Sequence, residues 1–300
     1  MKHPITTVLV HHGTFQPLWQ QTSLLQAGPR IPDGPESIHL NALSVHRILE
    51  ALARRRWDGR GVLLHYSDPF LMRSAPLRDV RAWPGPTLLA CGDLHHGPAP
   101  IETLEGYLRK EPHDAVLLTF NPSLIDDVQQ RLKVPVRCLA PTFFRYPTAT
   151  PTPISQRRLE LLHVGSLGPH HPHRRELVQA LIARKSVPFR HATTRSAEEA
   201  ASLYAQHALV LNVPLNNDLN HRFFEVMAAG VAQVIVGDRN LMGDLHQLAD
   251  RPDVFWANSL AELEALVQHL FASPEALLRI RVAPPSDWPL ESLLKKALAP

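Results

Sequence analysis

The chain reads as an α/β protein of two domains, each built on a mostly parallel sheet covered on both faces. Three observations predict this. Short apolar runs alternate with amphipathic ones almost throughout, the pattern of strands joined by crossover helices. A Pro/Thr-rich stretch without apolar period, Tyr146-Pro147-Thr148-Ala149-Thr150-Pro151-Thr152-Pro153, interrupts that pattern near the middle and reads as an extended linker. The pattern then restarts, and 300 residues suffice for two domains of ordinary size.

In order along the first half, residues 5–10 read as a strand. Residues 38–55 read as a helix, with Leu40, Leu43, Ile48, Leu49 and Leu52 on one broad face. Residues 61–65 and 87–91 are strands, and 101–110 a helix. A strand at 115–119, a helix at 123–132 and a strand at 134–139 follow. In the second half, 159–164 is a strand, 174–184 a helix and 187–191 a strand. Ser196-Ala197-Glu198-Glu199 has capping-box spacing and opens a helix towards Gln206. A strand at 208–211, a helix at 220–229 and strands at 233–236 and 254–257 come next. Ser259-Leu260-Ala261-Glu262 caps another helix. The expected organisation is a first domain at 1–146, a linker at 147–157 and a second domain at 158–285. A terminal helix at 286–300 follows the break at Ala283-Pro284-Pro285.

With 44% hydrophobic and 20% charged residues, the composition is that of an ordinary soluble domain. A net charge of only +3 gives no case for a nucleic-acid partner. The modest arginine excess leaves room for a basic face touching a phosphorylated ligand or peripheral membrane lipid. Two cysteines, Cys91 and Cys138, both in apolar runs, argue against a disulfide framework. The start lacks a signal peptide's apolar region, and no apolar run approaches the roughly 20 residues needed to span a bilayer. The cytoplasm is therefore the expected location.

Two segments carry chemistry. Leu161-Leu162-His163-Val164-Gly165-Ser166-Leu167-Gly168 is a strand running into a glycine turn, and a helix with Arg174 and Arg175 follows. Glycine lets backbone approach a ligand closely. A helix start with guanidinium groups suits a diphosphate. Alone this is a common αβ turn. Some 50 residues on, a strand ends at Leu211-Asn212. Asn220-His221-Arg222-Phe223-Phe224-Glu225-Val226-Met227-Ala228-Ala229-Gly230 then forms a short helix. Taken alone, Glu225 is a carboxylate favourably placed early in a helix. Taken with Asn220, Arg222 and the first segment, it suggests a nucleotide-sugar site at strand ends. Phe223 and Phe224 read as packing residues. His170-His171-Pro172-His173 invites a metal reading, but proline breaks the spacing and no Cys or carboxylate completes a ligand set. No metal is expected.

On these residues the chain resembles the GT-B glycosyltransferases of the group 1 type, and in particular the CgeB-like (spore-maturation protein-like) branch. The resemblance covers residues 161–236 well and 92–95 with 114–139 more weakly. It implies two Rossmann-like domains facing each other across a cleft, the second holding a nucleotide-diphosphate sugar, with a UDP-sugar as the first expectation. It implies Glu225 on the donor ribose, and Gly165, Ser166, Arg174 and Arg175 on the diphosphate. Asn220 and Arg222 line the same site, Arg222 neutralising phosphate or buttressing the loop. It implies metal-independent transfer, without further cofactor, to an acceptor that is glycan, lipid, protein or small molecule. It also implies a terminal helix crossing back to the first domain. Where many retaining members carry a second acidic residue, this chain has Asn217 beside Asp218, and no stereochemical course is assigned.

A general base must take the acceptor proton if the reaction inverts. The foremost candidates are His12, after the first strand, and Asp93, after the strand at 87–91. His11, His95, His96, His65 and Asp68 stand behind them. In a histidine-rich chain each loop histidine is by default a solvated one. The alternatives are a non-catalytic nucleotide-sugar-binding module and a sugar epimerase of similar architecture. An NAD-dependent oxidoreductase is disfavoured, because His11-His12-Gly13-Thr14-Phe15 is not a dinucleotide fingerprint.

Overall fold

The computed structural model describes residues 7–13, 24–57, 61–94, 99–139, 144, 146–150, 152–169, 171–215, 218–240, 242, 246–279 and 294. The chain divides into two compact units, Met1–Arg145 with Leu290–Pro300, and Tyr146–Pro289.

The first unit has seven strands: β1 Thr7–Val10, β2 Leu24–Gly28, β3 Ser37–His39, β4 Val62–Ser67, β5 Thr87–Cys91, β6 Ala115–Leu118 and β7 Val136–Cys138. All pairs are parallel, in the order β3-β2-β1-β4-β5-β6-β7. Every residue of β1, β5 and β6 is buried, as strands covered on both faces must be. Helices α1 Val45–Arg54, α2 Pro69–Ser74, α3 Pro100–Lys110 and α4 Ile125–Leu132 cover the sheet. Ile48 and Leu52 of α1 pack on Val8, Val10, Leu25 and Leu63, and Leu104 and Leu108 of α3 pack with Leu89, Val116 and Leu118.

The helix expected over 38–55 is two elements. Ile38 and Leu40 are buried while Ser37 and His39 are not, a period of two that makes β3. The helix starts only after Ser44, whose hydroxyl donates to Asp79 Oδ2 at 2.8 Å rather than capping its own helix. Strand β2, too short and interrupted by Gln26 to show a pattern, was not expected. Of the first strand, residues 5 and 6 lie outside the described residues, as do 280–293 and 295–300, where the terminal helix was expected.

The second unit has five strands: β8 Arg158–Val164, β9 Phe189–Ala192, β10 His207–Asn212, β11 Ala232–Val236 and β12 Val254–Ala257. They are parallel in the order β12-β11-β10-β8-β9. Its helices are α5 Pro172–Arg184, α6 Ala197–Ala205, α7 His221–Ala228, α8 His246–Ala249, α9 Leu260–Ala272 and α10 Pro274–Arg279. Alternate residues serve opposite faces. Leu161 and Leu209 pack with α5 and α9 through Leu177, Leu181, Leu263 and Val267. Leu162 and Val210 pack with α6 and α7 through Tyr204 and Val226. Ser196 and Ser259 accept from the N–H of Glu199 and Glu262, the cap contacts their spacing predicts. Among the described residues no helix is long and apolar enough to cross a membrane.

Candidate functional site

Strand order decides where each unit can bind. In the second unit the chain leaves β8 for β9 on one side, then returns to β10 on the other. The crevice beyond the carboxyl ends of β8 and β10 is a topological switch point, where open α/β sheets bind ligands. Gly165 follows β8 there, and Val213 follows β10.

Gly165 has φ of 146°, and its N–H donates to Ala192 O at 3.0 Å. A Cβ on it would run into the Arg222 guanidinium. The turn and the arginine therefore need a bare glycine between them. Nε and Nη1 of Arg222 are buried and have no hydrogen-bond partner among the described residues. Two buried N–H groups left without partners are costly, and they give Arg222 the capacity to bind an anion at this turn. Ser166 is exposed, and its Oγ accepts the Gly168 N–H at 3.1 Å, closing the turn.

Arg174 has another use. It is buried, and its Nε and Nη2 donate to Val213 O at 3.3 and 3.0 Å. It ties the start of α5 to the loop after β10. Burial and the nearby Arg222 lower its pKa to about 10, so it stays charged. Arg175, one residue on, is half-exposed. Helix α5 begins without a side-chain cap, so its first N–H groups keep their capacity for a ligand.

Asn220 is the cap of α7. Its Oδ1 accepts the Phe223 N–H at 3.2 Å, and its Nδ2 donates to Asn212 Oδ1 at 2.9 Å. Asn212 Nδ2 donates to Gln233 Oε1 at 3.3 Å, and Gln233 Nε2 donates to Phe223 O at 2.9 Å. The amides form a closed ring that leaves and returns on Phe223. Asn220 was expected to line the donor site; its side chain is spent on holding α7 against the ends of β10 and β11.

That ring orients α7 so that Arg222 and Glu225, three residues apart, share a face. Burial raises the Glu225 pKa, while Arg222 and the Tyr204 hydroxyl pull it back down. The Tyr204 hydroxyl lies 3.4 Å from Glu225 Oε2. Behind the pair, Tyr146 stacks on Phe224 at 5.8 Å, and its hydroxyl lies 3.1 Å from His221 Nδ1. Phe223 and Phe224 are fully buried.

In the first unit the strand order turns back between β1 and β4. His11, His12 and Gly13 follow β1, and Asp68 follows β4. The Gly13 N–H donates to His11 Nδ1 at 2.9 Å, and His11 Nε2 lies 3.2 Å from Gln26 Oε1. His11 is thus fixed with its proton on Nε2, and burial takes its pKa down to about 4. His12 is buried, with its pKa lowered by burial, and its Nε2 has no partner among the described residues.

Asp93 is half-buried on a tightly held loop. Its N–H donates to Asp68 Oδ1 at 3.2 Å, and the Leu94 N–H donates to Asn121 Oδ1 at 2.9 Å. A Cβ on Gly92 would collide with the Asp68 carboxylate. Side chains after β4 and β6 therefore clamp the loop after β5, and Asp68 and Asp93 come together. His65 is a core residue: wholly buried, 3.3 Å from the Tyr107 hydroxyl and stacked on His113 at 5.7 Å. His95, His96, His170 and Asn217 lie outside the described residues.

Gln233, Tyr204 and Asn121 have no place in the sequence analysis of the sites, and Asn212 enters it only as the end of its strand, without a role. Gln233 carried a signal, a lone amide in the apolar strand β11. Tyr204 carried none, since only the packing of α6 on α7 brings it to Glu225.

Residues 155–283 match the glycosyl transferase-like family model (Glyco_trans_1_2). That span holds most of the second unit and the whole Gly165–Arg222–Glu225 arrangement. Among solved structures, TarM is similar to the chain with a TM-score of 0.51 at 10% identity, over 79% of this chain and 54% of that one. A mutant of S. aureus TarM in complex with Fondaparinux, alpha-GlcNAc-glycerol and UDP is similar with 0.51 at 11% identity, over 79% and 54%. A structure of accessory secretory protein 1, 2 and 3 in Streptococcus pneumoniae gives 0.51 at 9% identity, over 84% and 56%. The chain thus spans about half the length of these proteins. The likeness at such identities is one of fold, the paired parallel α/β sheets of GT-B glycosyltransferases. No curated protein sequence matches the chain.

Proposed function

We propose that the chain is a glycosyltransferase that takes its sugar from a nucleoside-diphosphate sugar bound by the glycosyl transferase-like unit. One observation carries this reading. At the β8/β10 switch point a glycine turn, a guanidinium with two buried nitrogens lacking partners and a half-buried carboxylate converge. Backbone N–H groups after Gly165 and at the start of α5, with Arg222, hold the diphosphate. Glu225 accepts from the ribose diol. Arg174 acts through the Val213 loop, Arg175 supplies outer positive charge, and Asn220 sets the angle of α7. When the acceptor oxygen bonds the anomeric carbon, the bond to the β-phosphate oxygen breaks and the nucleoside diphosphate leaves. Arg222 and the backbone donors stabilise the charge that develops there, and the sequence offers no Asp-x-Asp triplet for a metal in that role.

In the first unit Asp93 is the base we favour over His12, because its carboxyl is partly exposed on a clamped loop while the His12 ring is buried. The donor is proposed to be a UDP-sugar, the nucleotide that the TarM complex contains. The Asn220-x-Arg222-x-Phe224-Glu225 pattern fits the CgeB-like branch of group 1.

The test is a thermal-shift panel of UDP, GDP, dTDP, CDP and NAD on the native chain and on Glu225→Ala. A ligand at 100 times its Kd should add about 2.7 kcal/mol of apparent stability. One nucleoside diphosphate should raise the midpoint and fail to do so in the variant. No shift with any of the four would sink the reading. Binding without turnover of the matching nucleotide sugar would leave a non-catalytic binding module.

A further inference from the structure

His163, two residues before Gly165 on β8, is wholly buried. Its Nδ1 lies 3.1 Å from Nδ1 of His191 on the neighbouring strand β9, and the rings stack with centroids 5.3 Å apart. Two bare nitrogens would repel at that distance, so one carries a proton. Where His191 gives that proton, His163 Nδ1 accepts it and a neutral His163 keeps its own proton on Nε2.

His163 Nε2 is buried and has no partner among the described residues. An orphan of this kind costs about 1–3 kcal/mol and calls for an explanation. The ring carbon between the two nitrogens sits 3.7 Å from where a Cβ on Gly165 would stand, so that edge of the imidazole faces the glycine turn. Burial, Arg222 and Arg174 keep the ring neutral, with its pKa down to about 2. A neutral imidazole N–H at this turn, beside two guanidinium groups, would suit an oxygen anion.

We infer that His191 gives the shared proton to His163 Nδ1, the positioning contact that fixes the tautomer, and that His163 contacts the donor, giving its Nε2–H to a diphosphate oxygen. The inference rests on the donor-site reading above.

Inorganic pyrophosphate, the part common to every such donor, is the probe. Calorimetry would compare the full native chain with His163→Phe, His191→Phe and Arg222→Gln. His163→Phe should weaken binding about tenfold or more, the scale of one hydrogen bond to a charged group, and His191→Phe by less. In the native chain labelled with 15N at histidine, several rings, His11 among them, should show a protonated Nε2 and a bare Nδ1. The one missing from His163→Phe should shift at Nε2 on saturation with pyrophosphate. Binding weakened by Arg222→Gln but not by His163→Phe would overturn the inference and leave the donor site standing. Pyrophosphate and nucleoside diphosphates both failing to bind the native chain would remove the donor site and the inference with it. Should His163→Phe not fold, saturating pyrophosphate that moves no protonated histidine Nε2 in the native chain overturns it.

Discussion

Glycines with positive φ differ in what they require. Gly230, at φ of 70°, ends α7 with nothing within 4 Å of a would-be Cβ. Gly230→Ala should therefore cost only the left-handed backbone penalty, about 1 kcal/mol, and Gly230→Asn less. Gly165, at 146°, lies outside the left-handed helical well and against Arg222. Gly165→Ala should cost about 1–3 kcal/mol in backbone strain alone and displace the guanidinium besides. We expect denaturant midpoints to fall more for Gly165→Ala than for Gly230→Ala, and nucleoside-diphosphate binding to be lost only in the former. Equal midpoints with binding intact would show that the turn does not need its glycine.

At the scale of elements, α7 is held by amides as well as by apolar packing. Asn220→Ala removes a cap worth about 1 kcal/mol and leaves Asn212 Oδ1 without its donor, about 1–3 kcal/mol more. Gln233→Leu opens the ring at its buried end and frees the Phe223 carbonyl. The two residues belong to one network, so their costs should not add. A double variant less stable than either single by the full sum would argue against a closed ring. The capping serines of α6 and α9 stand apart from it. Ser196→Ala and Ser259→Ala should each cost about 1 kcal/mol without touching ligand affinity.

On the scale of the whole molecule, both units bury neutral histidines. Burial holds His11 and His113 in the first unit, and His221 in the second, near a pKa of about 4, and His163 near about 2. In the unfolded chain each takes a proton below about pH 6.5. Between about pH 6.5 and 4 the unfolded chain therefore binds more protons, and folded stability falls as pH falls. Each group contributes up to about 1.4 kcal/mol per pH unit in that window. Glu225, whose pKa burial raises, works with the opposite sign and offsets a part. Melting temperature should drop steadily from pH 6.5 towards 4.5, with His113→Phe flattening the slope. A level profile would mean that these rings are solvated.

Local sequence determined the strands whose neighbours are apolar on both sides, such as β5 and β6, because continuous burial writes itself as a continuous apolar run. It determined the helices opened by Ser196 and Ser259, because a cap is a contact over three residues. It also placed Gly165 on a turn and Arg222 and Glu225 on one helix face, which are local patterns, and the fold brings the three together. Strands β2 and β3 escaped it: short, polar-interrupted segments become strands only when a neighbour offers a hydrogen-bonding edge. The partners of the site residues escaped it as well. Nothing along the chain shows that Asn220 Nδ2 reaches Asn212 or that Arg174 Nε and Nη2 reach Val213. His163 looks like a stray polar residue in a strand, yet β9 sets His191 beside it and one edge of its ring faces the turn. Such assignments depend on which strand lies next to which, and the tertiary structure alone supplies that.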